Sequence, residues 1–274
     1  FQAIRQTDAL VHVVRCFDND DIFLEKADAK RDAETFDLEM ILADIEIVER
    51  RLERAKKNAK GGDKKYKHEA EMCEALIAHL EAEKPARSFD FGDDDSDILV
   101  DGGLMTVKPV IYVANLDEDG MADYAGNANF KALSKIAEAQ GAAVLPVAAK
   151  FEEDISEMDA DEAKMFMEDL GLTETGLDRL IRTSYDLLGY ISFLTAGEDD
   201  VHAWTIVRGT KAPKAAGKIH TDIERGFIRA EIVAFEDLKA CGSVAAAKEK
   251  GLFRLEGKDY VMQDGDVTNF RFNV

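Results

Sequence analysis

Asn115, Asp117 and Glu118 follow directly on an apolar run, Val110-Ile111-Tyr112-Val113-Ala114. An Asn side chain carries both a donor and an acceptor, and a carboxylate two or three residues on accepts from an N–H. Side by side, such groups could read the edge of a purine ring. The apolar run predicts a buried central strand of an α/β sheet. Its C-terminal end would deliver these residues to the rim where ligands bind in open α/β folds. Taken alone, the tetrapeptide Asn115 to Glu118 favours a plainer reading, a strand followed by an acidic turn.

The elements around this stretch change the balance. Asn127 to Gln140 carries Phe130, Leu133, Ile136 and Ala137 at helical spacing and ends at Gly141. Ala142 to Val147 predicts another buried strand, followed by Ala148, Ala149 and Lys150. Strand, helix and strand in this order form a βαβ unit, which requires a parallel sheet. The 115–118 and 148–150 loops then lie at one end of that sheet and could wall a base pocket. Ala9 to Val14 predicts a further buried strand, with His12 expected as a satisfied core histidine. Asp18-Asn19-Asp20-Asp21 reads as a rim loop without a spaced set of metal ligands.

Leu38, Ile41, Leu42, Ile45, Val48 and Leu52 recur at helical spacing, as do Ala70, Cys73, Leu76, Ile77 and Leu80. Gly61-Gly62 separates the two sets and Pro85 closes the second. Two amphipathic helices joined this way predict an antiparallel hairpin with a narrow, coiled-coil-like seam. Residues 49–67 hold nine Lys or Arg against three acids, whereas 152–169 holds nine acids. The basic cluster falls at the hairpin tip. A solvated helical face and an anionic partner both remain open for it. Residues 90–103 are acidic and Gly-containing and read as a mobile connection.

The formal charge of −21 argues against general nucleic-acid binding through net charge. No apolar run approaches the length of a membrane span. The three cysteines are scattered, without metal spacing, which points to a reducing, cytoplasmic setting. Beyond residue 190, short alternating runs predict strands at 191–195, 201–207, 226–233, 258–262 and 267–272, with a helix within 235–250. This fits a β-grasp. Its 12 bases and 13 acids leave it near neutral. Arg208, Lys211 and Lys214 lie in its loops, either as an RNA-phosphate surface or as solvated charge. His220 reads as structural.

Four segments in order, Arg5 to Asp18, Ile41 to Leu52, Tyr112 to Gly120 and Gln263 to Val274, carry a resemblance to the YchF/Obg-like ATPase family. This is a branch of the translation-factor-related P-loop GTPases, and the resemblance covers essentially the whole chain. It implies a nucleotide-binding G domain (1–37 and 89–189), an inserted helical hairpin (38–88) and a C-terminal TGS domain (190–274). GTPases carry Asn-Lys-x-Asp where this chain has Asn115-Leu116-Asp117-Glu118. The resemblance ties that change to a preference for ATP over GTP. It places Leu116 near the adenine and turns the backbone amides of Ala148, Ala149 and Lys150 towards the base. Many relatives carry Ser at the place of Ala148.

Nothing in the chain fits Gly-x-x-x-x-Gly-Lys-Ser/Thr. In the family that element lies upstream of the position of Phe1. The resemblance therefore implies a member lacking its N-terminal P-loop part, without catalytic residues or metal ligands of its own. Such a chain is expected to be inactive, although its parent would be an ATPase or GTPase using ATP (or GTP) and Mg²⁺. Two function classes follow. One is a nucleotide-dependent regulator that binds the ribosome or RNA through Arg54, Lys56, Lys57, Lys60, Lys64 and Lys65 at the tip and Arg208, Lys211 and Lys214 in the C-terminal domain. The other is a non-enzymatic protein-interaction scaffold. Neither a membrane partner nor DNA specificity is expected.

Overall fold

The computed structural model describes residues 2–19, 25–92, 95, 103–169, 171–197 and 200–273. Asp20 and Asp21 of the acidic rim loop lie outside the described residues, as does most of the expected connection at 93–94 and 96–102. The chain divides into two compact units, Phe1–Ser184 and Tyr185–Val274.

In the first unit, the short α1 (Gln2–Arg5) precedes β1 (Leu10–Arg15). Strand β2 is Val110–Asn115 and β3 is Ala143–Val147. They form a parallel sheet in the order β1-β2-β3. Helix α4 (Glu118–Ala122) and helix α5 (Ala128–Ala139) connect β2 to β3. Ile111, Tyr112 and Ala114 are fully buried, as a central parallel strand requires. Asn127 caps α5 by accepting from Phe130 N at 2.9 Å. After β3 come α6 (Ala149–Ser156), α7 (Ala160–Asp169) and α8 (Gly176–Leu188).

The hairpin is α2 (Ala29–Ala59) and α3 (Lys64–Glu81). Asp28 caps α2, well before the first apolar position of the expected stripe at Leu38. Gly62 at φ 85° makes the turn, a backbone region where a side chain is strained. Ile41, Val48, Cys73, Leu76 and Leu80 pack as the seam. Leu38 and Leu42, however, are 39% and 52% exposed. The first half of α2 instead turns Ala29, Ala33 and Met40 into the core shared with the sheet, so the buried stripe rotates along the helix.

Two buried acids fix the root. Asp44 accepts from Met105 N (2.8 Å), Thr106 N (2.8 Å) and Thr106 Oγ1 (2.7 Å). Asp37 Oδ2 accepts from Tyr112 Oη (3.2 Å) and Gln140 Nε2 (3.1 Å). Lys108 Nζ donates to the carbonyls of Ile4 and Arg5, both at 2.8 Å, and to that of Thr7.

The second unit begins near the end of α8 and holds a mixed sheet in the order β5-β4-β8-β6-β7. These are β4 (Tyr190–Ala196), β5 (Val201–Val207), β6 (Phe227–Ala234), β7 (Arg254–Glu256) and β8 (Asp266–Phe272). Strand β4 pairs parallel with β8, and the other pairings are antiparallel. Two details differ from the sequence reading. The edge strand is Arg254–Glu256, and Val261 makes only an isolated bridge to Lys211. The expected helix over 235–250 is two, α11 (Phe235–Cys241) and α12 (Val244–Glu249), because Gly242 adopts φ 74° and Ser243 caps the second. Helices α9 (Ala212–Ile219) and α10 (Thr221–Arg225) complete the unit, with His220 as the cap of α10. No helix among the described residues is long and apolar enough to cross a membrane.

Candidate functional site

The register of the parallel sheet sets the rim. Val14 pairs with Ala114, Arg15 with Asn115, and Asn115 with Val147, so the three strands end together. The loops after β2 and β3 are thereby brought side by side. Leu116 N donates to Val147 O at 2.8 Å, and Ala149 N donates to Asn115 Oδ1 at 3.1 Å. Asn115 thus ties the two loops, and its Nδ2 donor has no protein partner among the described residues.

The remaining residues at this rim divide by environment. Leu116 is 2% exposed and packs in the core, so its side chain stabilises the loop from beneath. Ala148 is also buried. Asp117 caps α4, accepting from Gly120 N at 2.8 Å. A Cβ at Gly120 would lie 2.6 Å from that carboxylate oxygen, so a side chain there would push the capping carboxylate aside. Glu118 is exposed in the first turn of α4, makes no side-chain hydrogen bond or ion pair among the described residues, and presents an acceptor to solvent. Lys150 is exposed. Asp154 and then Glu153 bind its ammonium at 2.9 and 3.1 Å and hold it above the ordinary lysine range. Of the backbone amides expected to face a base, that of Ala149 is taken by Asn115.

The basic residues also sort by partner. At the hairpin tip, Lys57, Lys60 and Lys64 are exposed, as are Arg54, which donates to Arg50 O, and Lys65. Lys56 pairs with Glu74 across the hairpin at 2.6 Å. In the second unit, Arg208 lies 3.7 Å from Asp186, Lys211 2.8 Å from Asp259 and Lys214 2.6 Å from Glu224. These loop charges are locally balanced, whereas Lys57, Lys60 and Lys64 at the tip make no ion pair among the described residues.

Sequence reasoning placed His12 on a buried strand but did not reach its hydrogen-bonding state. His12 lies between Phe36 (ring centroids 4.7 Å apart) and Tyr112 (5.5 Å), and its Nδ1 has no hydrogen-bond partner among the described residues. It is therefore not the satisfied core histidine expected. Burial pushes its pKa down; Asp37 raises it and Arg87 lowers it further.

The second unit matches a family model over residues 190–273, described as YchF-GTPase_C, protein of unknown function (DUF933). A "Ribosome-binding ATPase YchF" of Bacillus subtilis (strain 168) is 51% identical over 273 residues, spanning 99% of this chain and 75% of that protein. An "Obg-like ATPase 1" of Oryza sativa subsp. japonica is 41% identical over 278 residues, spanning 99% of this chain and 69% of that protein. The solved structure of the Schizosaccharomyces pombe YchF GTPase superposes with a TM-score of 0.86 at 33% identity, covering 98% of this chain and 74% of that one.

One expectation is corrected by these findings. The chain was expected to lack the P-loop part of its nucleotide domain and so to be inactive. Instead the parallel-sheet region of that domain is folded around a continuous core, and the similarity runs through it to relatives named as ATPases and GTPases. The nucleotide domain is represented in this chain, and inactivity does not follow. A parallel nucleotide-domain sheet, a helical hairpin and a mixed C-terminal sheet, matched along nearly the whole chain, place it in the YchF/Obg-like ATPase family.

Proposed function

We propose that the chain binds a purine nucleotide at the rim of its parallel sheet, prefers ATP to GTP, and uses nucleotide state to regulate contact with the ribosome or RNA. The observation that carries this reading is the Ala149 N to Asn115 Oδ1 hydrogen bond at 3.1 Å, which holds the two rim loops as one unit. Asn115 Nδ2 is then available as a donor to a ring nitrogen, and Glu118 as an acceptor. An acceptor at this edge suits the 6-amino group of adenine, a donor, and opposes the 6-oxo group of guanine, an acceptor. The relatives named ribosome-binding ATPases support the same reading.

In this proposal, residues 1–37 and 89–189 form the nucleotide domain, 38–88 the inserted hairpin and 190–274 the TGS domain. Asn115, Asp117, Glu118, Ala148, Ala149 and Lys150 surround the base, with Leu116 supporting the loop from the core. ATP hydrolysis would be the associated activity, with Mg²⁺ accompanying the nucleotide. Mg²⁺ accompanying a nucleotide is held mainly by the phosphates and water, and among the described residues no group of three or more His, Cys, Asp or Glu side chains could hold a metal ion by itself.

Saturation-transfer NMR of the chain with ATP and with GTP tests the base site independently of turnover. Transfer to the adenine protons is expected to exceed transfer to guanine H8, and Glu118→Ala is expected to narrow that difference without altering the fold. Replacing Asp117 with Lys and Glu118 with Asp together is expected to shift preference towards GTP. Unchanged preference in both variants would remove these residues from the base site.

A further inference from the structure

The mixed sheet of the second unit treats its two edges differently. At one edge, β7 is three residues long and two of them, Arg254 and Glu256, are charged. A short, charged edge strand is a common guard against pairing with another chain. At the other edge, β5 runs in unbroken register with β4 and contains no Lys, Arg, Asp, Glu or Pro. Its end residues Val201 and Val207 are 71% and 56% exposed. This second edge is unguarded.

The pairing with β4 fixes which backbone groups of β5 are free. Arg208 N donates to Gly189 O at 2.7 Å, and Gly197 N to Asp200 O at 2.8 Å. Even-numbered residues therefore turn their backbone groups towards β4, and Val201, Ala203, Thr205 and Val207 turn theirs outward. Val207 O is taken by Thr210 N at 3.1 Å. The remaining outward N–H and C=O groups have no backbone partner among the described residues.

The strand is complementary to itself when two copies run antiparallel about Trp204. Ala203 then faces the partner's Thr205 and exchanges both hydrogen bonds with it, and Val207 N meets the carbonyl of the partner's Val201. The exposed Val201 and the partner's Val207 come together on one face. One residue beyond the strand, Asp200 faces the partner's Arg208. Asp200 makes no ion pair among the described residues, and Arg208 has only a loose one, 3.7 Å from Asp186 with both side chains exposed. Sliding the pair by two residues in either direction would keep the backbone pattern but part Asp200 from the partner's Arg208. Residues 190–274, with 12 bases and 13 acids, are also the near-neutral part of an acidic chain, so two copies meet there with little repulsion.

We propose that β5 is a homodimer edge, at which two copies of the chain pair antiparallel about Trp204 into one continuous sheet. Strands of this length span about 23 Å. Their pairing covers less than a standard interface of about 1,600 Å², so the dimer is weak and reversible. The site goes beyond the nucleotide reading and does not depend on it.

Sedimentation velocity of the full chain from about 1 to about 200 μM tests the proposal, a range suited to a small interface. Monomer at the low end and dimer at the high end are expected. Ala203→Pro removes an outward N–H where an edge strand tolerates proline, and is expected to leave a monomer with the parent's circular dichroism. Asp200→Arg and Arg208→Asp each set like charges opposite one another at both ends of the pair. Each is expected to weaken dimerisation about tenfold. Mixed in equal amounts, the two variants restore opposite charges and are expected to associate as the parent does. A chain that stays monomeric across the range would overturn the proposal and leave the edge to a different protein. A dimer that persists in Ala203→Pro, or charge variants that fail to complement each other, would also overturn it, because the interface would then lie elsewhere. The mixing result keeps the test decisive even where Ala203→Pro does not fold.

Discussion

The Asp44 carboxylate accepts from both the backbone N and the hydroxyl of Thr106, 62 residues further along the chain. This is the fixed point of the hairpin. Thr106 Oγ1 in turn accepts from Ala86 N at 2.9 Å, so one helix of the hairpin and the exit from the other are bound to one threonine. Burial pushes the Asp44 pKa up, opposed by the hydrogen bonds from Met105 and Thr106.

Asp44→Ala is expected to destabilise the first unit by about 3–5 kcal/mol, because it strands buried N–H groups of Met105 and Thr106. Thr106→Val is expected to cost about 1–3 kcal/mol through the missing hydroxyl. Urea titration followed by far-ultraviolet circular dichroism measures both. For Asp44→Ala, a change well below the ~1–3 kcal/mol of one stranded buried group would show that the root is held by its apolar packing alone.

Acid should weaken the first unit through His12. Its folded pKa lies below the unfolded value near 6.5 because burial disfavours the imidazolium. Between those two values the unfolded chain binds more protons, so stability is present above about 6.5 and falls as pH drops towards the folded pKa. The slope from one group cannot exceed about 1.4 kcal/mol per pH unit. His12→Phe keeps the ring packing with Phe36 and Tyr112. It is expected to flatten the difference in thermal midpoint between about pH 7.5 and about pH 5.5, which bracket the ordinary histidine pKa. A variant with the parent's pH dependence would assign the effect elsewhere.

The hairpin separates charge from packing. Replacing Lys56, Lys57, Lys64 and Lys65 with Gln is expected to weaken ribosome co-sedimentation. It is also expected to lower the salt slope by about 0.7–0.9 for each phosphate no longer neutralised. Lys56 alone should matter least, since Glu74 already holds it. Leu76→Ala, in the fully buried seam, is expected to cost about 2–5 kcal/mol instead. Salt-insensitive binding unaffected by the quadruple change would favour the scaffold reading.

The three thiols should react in a fixed order. Burial pushes Cys16 up to about 12 and Cys73 up to about 11, so neither forms much thiolate near neutral pH. Cys241 is half-buried. Iodoacetamide at mildly alkaline pH is expected to alkylate Cys241 in the native chain and the other two only after denaturation, as mass spectrometry would show.

The parallel sheet was legible because Val110 to Ala114 is apolar without interruption, and the hairpin because its seam keeps helical spacing around Gly61-Gly62. Asn127 before a periodic apolar stretch marked the start of α5. Other features carried no local signal. Asp37 and Asp44 look like ordinary surface acids of an amphipathic α2, and what makes them core residues are partners on β2, at Gln140 just after α5 and in the 105–106 turn, far along the chain. Helix α9 escaped notice because it buries Ala212, Ala215 and Ala216 rather than large apolar side chains. At the rim, Leu116 was expected near the base. The loop instead folds it into the core, a choice set by tertiary packing that the tetrapeptide does not encode.

The length of α2 has a mechanical consequence. Its 31 residues make a rod of about 46 Å, of which the stretch from Asp44 to Ala59 spans about 22 Å. Clamped at Asp44, that stretch is a lever. A tilt of about 10° at the root would sweep its far end through roughly 4 Å, more than the length of a hydrogen bond. Any tilt about that root would therefore be felt most where the lysines sit.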